Sequence, residues 1–344
     1  MNIRDLNKKE LTQLIEDNKT KTDEALKNEA IRIKESFYGK KIFARGLIEF
    51  TNVCKNNCYY CGLRAKNCEI KRYRLTKDEI LSCCDTGAQL GFQTFVLQGG
   101  EDLHYSEKAI CDIVYSIKSK YPDCAVTLSI GEKTKKEYKS YFDAGADRFL
   151  LRHETANPKH YQMLHPPEMS LDNRKKCLFT LKEIGYQVGA GFMVGSPNQT
   201  FENLAEDLLF LKELEPEMVG IGPFLPHNKT PFKNEAKGSF ELTITMLTLT
   251  RLLIGDVLLP ATTALATLNP KEGRTKAFEV GANVVMPNLS PVDFRDSYSL
   301  YDNKLSFGNE AAQSINKLKE EIEKSGNVLD MSRGDNIKFI KKMR

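Results

Sequence analysis

Eight short runs rich in β-branched and aromatic residues punctuate this 344-residue chain, at 42–50, 94–97, 125–130, 148–151, 187–194, 218–224, 257–261 and 283–286. Between them lie amphipathic stretches of ten to sixteen residues with apolar positions at helical spacing. Lys77–Leu90 opens on a Thr76-x-x-Glu79 capping box. The stretch after Asp172 carries Cys177, Leu178, Leu181 and Ile184 on one face and stops at Gly185. Gly145, Gly185 and Gly281 stand where a helix hands over to a strand, as C-terminal caps do. Eight β–α alternations without a repeat or a long linker predict an α/β fold, a (β/α)8 TIM-type barrel spanning 39–325. A doubly wound open sheet, with the same alternation, is the alternative. Residues 1–38 read as an N-terminal helical extension of two helices, and 326–344 as a polar, loosely attached C-terminal tail.

Charge and cysteine usage narrow the function. Fifty Lys and Arg against 46 Asp and Glu leave a net charge of +4, mixed along the chain. That balance gives no reason to expect nucleic acid or a membrane surface as partner. No apolar run approaches a membrane span of ~20 residues, and the polar start MNIRDLNKKELTQ has no signal-peptide character. A cytoplasmic protein is expected, in which nine cysteines are thiols or metal ligands rather than a disulfide framework.

Only three of the nine form a tight cluster, Cys54-Lys-Asn-Asn-Cys58-Tyr-Tyr-Cys61, directly behind the first run. Thiolates at this spacing can converge on one soft-metal site, and iron–sulfur clusters favour all-thiolate ligation. Three protein ligands leave one cluster iron open to a cofactor or substrate. A structural zinc site, the competing reading, wants four closed ligands, and Cys68 is the nearest fourth. Tyr60, just before the last cysteine, and the loop position behind a strand favour the cluster. Cys68, Cys83, Cys84, Cys111, Cys124 and Cys177 have no partner spacing and read as buried thiols.

This stretch resembles the signature of the radical S-adenosylmethionine (SAM) superfamily, CxxxCx(aromatic)C. The resemblance implies one 4Fe–4S cluster on Cys54, Cys58 and Cys61, with Tyr60 beside the cofactor. SAM binds the open iron and is cleaved by one electron to a 5′-deoxyadenosyl radical. Gln98-Gly99-Gly100-Glu101 matches the superfamily's GGE motif, which holds the methionine amino group; paired glycines let backbone approach a ligand closely. Alternation along 148–155 (RFLLRHET) sends Phe149 and Leu151 toward the helices and Leu150, Arg152 and Glu154 toward the lumen. Inward charges need partners, so either the two form an internal ion pair or Glu154 binds the cofactor while Arg152 faces an anionic substrate. Arg174 opens the next helix, and reads either as a surface charge or as a guanidinium that grips the methionine carboxylate. His153 reads as a packed outer-face histidine, and His104, His160 and His165 carry no assignment.

The runs IEFTNVCKNNCYYCGLR, KRYRLT, VLQGGED, VTLSIGE, GADRFLLRHETANP, VGIGPFLPH, PATTA and GANVVMPN are similar to one branch, the HydE maturases of FeFe-hydrogenase. This resemblance implies Glu154 and Arg174 as cofactor contacts, and Ser129, Arg152, Thr262, Thr263 and Tyr301 on the substrate side. It further implies assembly of the di-iron part of the H-cluster from an iron–carbonyl–cyanide–cysteine precursor, a small organometallic substrate. The partners would be other hydrogenase maturases and a reductant protein. No cysteine follows Cys177, so no second cluster is expected. Methylornithine synthase and biotin synthase, acting on small amino-acid-type substrates, are the enzymatic alternative. A non-catalytic iron–sulfur or zinc-binding module is the alternative of another class.

Overall fold

The computed structural model describes residues 3–305 and 311–343. Two helices come first, α1 (Lys8–Asp17) and α2 (Glu24–Tyr38). Asn7 and Glu10 close a capping box on α1, and the Asp23 carboxylate accepts the Ala25 and Leu26 N–H groups at the start of α2. Their apolar stripes pack on two outer helices of the main body, α8 (Phe201–Leu214) and α9 (Phe240–Leu253).

The run at 42–50 is two strands, not one: β1 (Lys41–Ala44) and β2 (Gly46–Thr51). The break falls where Leu289 fills the space above Gly46, 2.2 Å from where a Cβ would stand. From β2 a parallel sheet runs in chain order through β3 (Thr94–Gly99), β4 (Ala125–Ser129), β5 (Arg148–Leu150), β6 (Gln187–Val194) and β7 (Met218–Pro223). The returns are α3 (Lys77–Gln89), α4 (Glu107–Lys120), α5 (Lys135–Asp143), the α6–α7 pair (Pro158–Leu164, Leu171–Ile184) and α8. Thr76 and Glu79 form the expected capping box, and Gly185 caps α7 with φ 111°.

Residues 257–261 and 283–289 continue the sheet through single bridges. Val219 N–H donates to Leu258 O at 3.0 Å, Asn283 N–H to Leu259 O at 2.8 Å and Ala261 N–H to Val284 O at 2.9 Å. Leu47 N–H then donates to Pro287 O at 2.9 Å and Leu289 N–H to Leu47 O at 2.7 Å. Parallel bridges therefore lead from β7 back to β2, although the eighth run is a strand only at β8 (Val284–Val285).

Residues 326–343 are not loosely attached. Behind α13 (Ile315–Lys324), β9 (Val328–Asp330) lies parallel to β1, whose other edge pairs with β8. Asp335 is buried beneath the strand starts and receives Arg148 at 2.5 Å, Gln187 Nε2 at 2.7 Å and Arg333 Nε at 2.8 Å. Arg333 also pairs with Asp147 at 2.8 Å. The polarity that reads as a solvated tail is spent on an inward ionic floor.

Candidate active site

At the opposite end, the C-terminal ends of the strands open on a cavity of about 300 Å³. Such ends are where α/β barrels build their active sites. Cys54, Cys58 and Cys61 all line it, carried on the loop behind β2. That loop is held from within. Arg72 spans it, its two Nη atoms donating to the carbonyls of Asn52, Leu63, Arg64 and Asn67 at 2.5–3.0 Å. Ala65 N–H donates to Asn56 O at 2.8 Å, and Tyr59 N–H to Leu164 O at 2.9 Å. Burial first, then the mutual proximity of the sulfurs, raises the Cys58 thiol, and burial pushes Cys61 up to about 12. These thiols keep their protons until a cation takes their place. Cys68 is exposed and does not line the cavity.

Tyr60 also lines the cavity, its Oη 3.2 Å from His165 Nε2. His165 Nδ1 lies 3.0 Å from Tyr161 O, which can only accept. The proton therefore sits on Nδ1, and Tyr60 O–H donates to Nε2. Burial pulls His165 down to about 3, so this imidazole stays neutral.

Gly99, Gly100 and Glu101 close in behind the cysteine loop. A Cβ on Gly100 would lie 2.3 Å from Val53 O and 2.7 Å from Cys54 Cβ. The Glu101 N–H points at Cys54 Sγ at 3.4 Å, while Oε1 accepts the Glu132 N–H at 3.0 Å. Ser129 ends β4 at the cavity wall. Arg174, buried on α7, pairs with Glu132 at 2.7 Å and stands 3.9 Å from Glu101. Arg152 and Glu154 face the cavity together, 3.2 Å apart, and Arg152 Nη2 also donates to Phe192 O at 2.7 Å. The two pair with each other, as one of the two expectations has it, and both line the cavity.

Thr262 lines the far wall and caps α10 (Thr263–Leu268). Thr263 is not among the lining residues; Ala264, the next residue along α10, is. Tyr301 lines the cavity from a strap, residues 296–305, that follows the short α12 (Val292–Arg295). The strap is anchored along the cavity wall at several points. Gly62 N–H donates to Leu300 O at 2.8 Å, Asp302 N–H to Pro226 O at 3.1 Å, and Lys304 pairs with the buried Glu49 at 2.6 Å. Tyr298 and Leu300 come with it. Neither is singled out by the sequence, nor is Arg72; Gln98 enters only as the flank of the glycine motif and His165 carries no assignment there, and the aromatic spacing of SYSLY is the one local signal for the strap.

Residues 48–211 match the Radical SAM superfamily. Over 283 residues the chain is 50% identical to the [FeFe] hydrogenase maturase subunit HydE of Thermotoga maritima, covering 82% of this chain and 80% of that protein. The chain belongs to the radical SAM superfamily. A crystal structure of methylornithine synthase (PylB) superposes with a TM-score of 0.81 at 26% identity, covering 94% of each chain. The maturase HydG from Carboxydothermus hydrogenoformans shares the fold, with a TM-score of 0.79 at 21% identity over 95% of this chain and 76% of that one.

The chain is therefore a radical SAM enzyme, with the superfamily's 4Fe–4S cluster and SAM as cofactors. Its residues fit both. Among the described residues no three His, Cys, Asp or Glu groups converge on a single-ion site; in a cubane each thiolate takes its own iron, so such convergence is not required. Arg152 Nε is buried without a hydrogen-bond partner among the described residues, and Glu154 Oε2 has the Arg152 ion pair alone. Buried polar groups left so are costly unless a ligand completes them. Gly99 and Gly100 line the same cavity with no side chain between backbone and chamber.

Proposed function

We propose that the chain is a HydE-type maturase, generating an adenosyl radical to help build the di-iron unit of FeFe-hydrogenase from an iron–carbonyl–cyanide–cysteine precursor. The observation that carries this reading is the 50% identity to a HydE over most of both chains. The cavity supports it: three thiols, a bare glycine pair and the Arg152–Glu154 pair share one chamber.

In this reading Cys54, Cys58 and Cys61 hold the cluster. Gly99, Gly100 and Glu101 hold the methionine end of SAM, with Tyr60, Glu154 and Arg174 as further contacts. When bound, cluster and SAM supply a 5′-deoxyadenosyl radical. The chain's own residues do the rest. Arg152, Ser129, Thr262 and Tyr301 orient a small anionic substrate, Thr263 being the weakest member of that set. The strap lines the chamber with Tyr298, Leu300 and Tyr301, which narrows the room left for water beside a radical intermediate. The site would serve a cytoplasmic enzyme, consistent with nine free cysteines and with no helix, among the described residues, long and apolar enough to cross a membrane. Other maturases and a reductant protein are its proposed partners.

The test is anaerobic reconstitution followed by two assays. The first is 5′-deoxyadenosine release with reductant and SAM, by wild type and Cys58→Ala. The second is activation of apo-hydrogenase in a maturation mixture lacking its own HydE. Release by the wild type alone together with hydrogenase activation supports the proposal. Release without activation, with methylornithine as the product formed, would assign the chain to the synthase branch.

A further inference from the structure

Behind β5 the chain enters residues 151–156, where Arg152 and Glu154 face the cavity and His153 is fully buried on the other side. Glu154 has φ 66°, in the left-handed region that a residue with a Cβ disfavours. Such a conformation persists only where its surroundings over-determine it. Two backbone bonds to β6 do part of this: Glu154 N–H donates to Gly191 O at 3.0 Å and Met193 N–H to Glu154 O at 3.2 Å.

The rest comes from one side chain on α8. Asp207 is fully buried, and its Oδ1 accepts the Ala156 N–H at 2.5 Å. The same oxygen lies 3.2 Å from His153 Nε2. His153 Nδ1 faces the Gly191 N–H at 3.4 Å, and a backbone N–H can only donate. Nδ1 is therefore bare, and Nε2 carries the proton that goes to Asp207. Burial holds His153 well below its usual pKa, in keeping with a neutral imidazole. One carboxyl oxygen thus ties down the residue before Glu154 and the second residue after it.

We propose that His153 and Asp207 are positioning residues of the cofactor site, holding the left-handed turn that aims the Glu154 carboxylate into the cavity. This rests on the reading of Glu154 as a SAM contact. Plain packing is the competing account, since the His153 ring sits edge-on to Phe210 with centroids 4.9 Å apart. A phenylalanine would satisfy packing and abolish both hydrogen bonds, which separates the two.

The experiment measures the SAM dissociation constant of cluster-loaded protein by equilibrium dialysis, with iron content and thermal midpoint recorded alongside. His153→Phe is expected to bind SAM at least tenfold more weakly, about 1.4 kcal/mol, with iron content unchanged. His153→Gln, whose amide reaches Asp207 from the place of Nε2, and Asp207→Asn, which keeps an acceptor oxygen, are expected within threefold of wild type. Should His153→Phe not fold, His153→Asn, too short to reach Asp207, carries the same expectation. Unchanged affinity in His153→Phe while Glu154→Gln is weakened overturns the positioning role. Equal losses in His153→Phe and His153→Gln overturn it too, in favour of ring size. Wild-type affinity in Glu154→Gln instead removes the premise that Glu154 touches SAM.

Discussion

Removing the Asp335 carboxylate should destabilise the fold without touching the cavity. Asp335→Ala strands Arg148, which is 3% exposed and pairs with that carboxylate at 2.5 Å. Breaking a buried pair by deleting one partner costs about 3–5 kcal/mol. Arg148 keeps bonds to Arg333 O and Thr94 Oγ1, which argues for the lower end. With an unfolding entropy of ~2.1 cal/mol/K per residue, a chain this long loses roughly 4–7 °C in Tm for that range. Calorimetry of the cluster-free protein at pH 7 reads it directly. Cluster loading and SAM affinity should stay within twofold, since floor and cavity lie at opposite strand ends. The pair also has a pH signature. Burial alone would raise the Asp335 carboxyl, but Arg148, Arg333 and Gln187 outweigh it and hold it well below the usual carboxylate range. A depressed carboxylate stabilises fully above its unfolded pKa of ~3.9 and loses that contribution as pH falls through its folded value. The Tm gap between wild type and Asp335→Ala should therefore be flat from pH 8 to about 5 and close only below about 4. A gap under ~1 °C at pH 7 would refute the reasoning. Arg148→Met/Asp335→Leu should recover part of the loss, because it removes the stranded Arg148 charge while Arg333 keeps its pair with Asp147.

Three further outcomes follow from the site. Gly100→Ala drives a Cβ against the Val53 carbonyl, where backbone on both sides cannot yield; iron after reconstitution should fall below half of the roughly four atoms one cubane holds. Lys304→Ala leaves the buried Glu49 without its cation; hydrogen exchange in the 296–305 strap should speed up by about two orders of magnitude, as ~3 kcal/mol of lost pairing predicts, and unchanged exchange would mean the strap is held elsewhere. His165 titrates near 3 when folded and near 6.5 when unfolded. The unfolded chain therefore takes up the proton first, and wild-type stability falls as pH drops from about 6.5 toward 3; His165→Gln should flatten that slope in acid-unfolding curves.

Much of this site was legible because its chemistry is local. The cysteine spacing, the glycine pair and the alternation through Leu150, Arg152 and Glu154 each lie within a few consecutive residues, where period and motif speak directly. What escaped is non-local. Arg72 is one of several arginines in the sequence, and only folding brings its two nitrogens to four carbonyls of the cysteine loop. Tyr298 and Leu300 reach the cavity because the strap doubles back onto Gly62 and Pro226. The left-handed turn at Glu154 has no glycine or asparagine to announce it. The tail was misread for a related reason: composition reports polarity, not which way the charges face.

The placement of β1 bears on how the chain is made. Both of its edges are covered by strands that come late in the sequence, β8 at 284–285 and β9 at 328–330. About 280 residues must follow β1 before β9 exists. At roughly 5–20 residues per second, its two edges stay open for something like 15–60 s of synthesis. Ile42, Phe43 and Ala44 are all buried once folded, so a bare apolar ribbon waits for its neighbours through most of translation. An unpaired edge of this kind invites pairing with another chain, and β1 is the segment a chaperone would have most reason to cover.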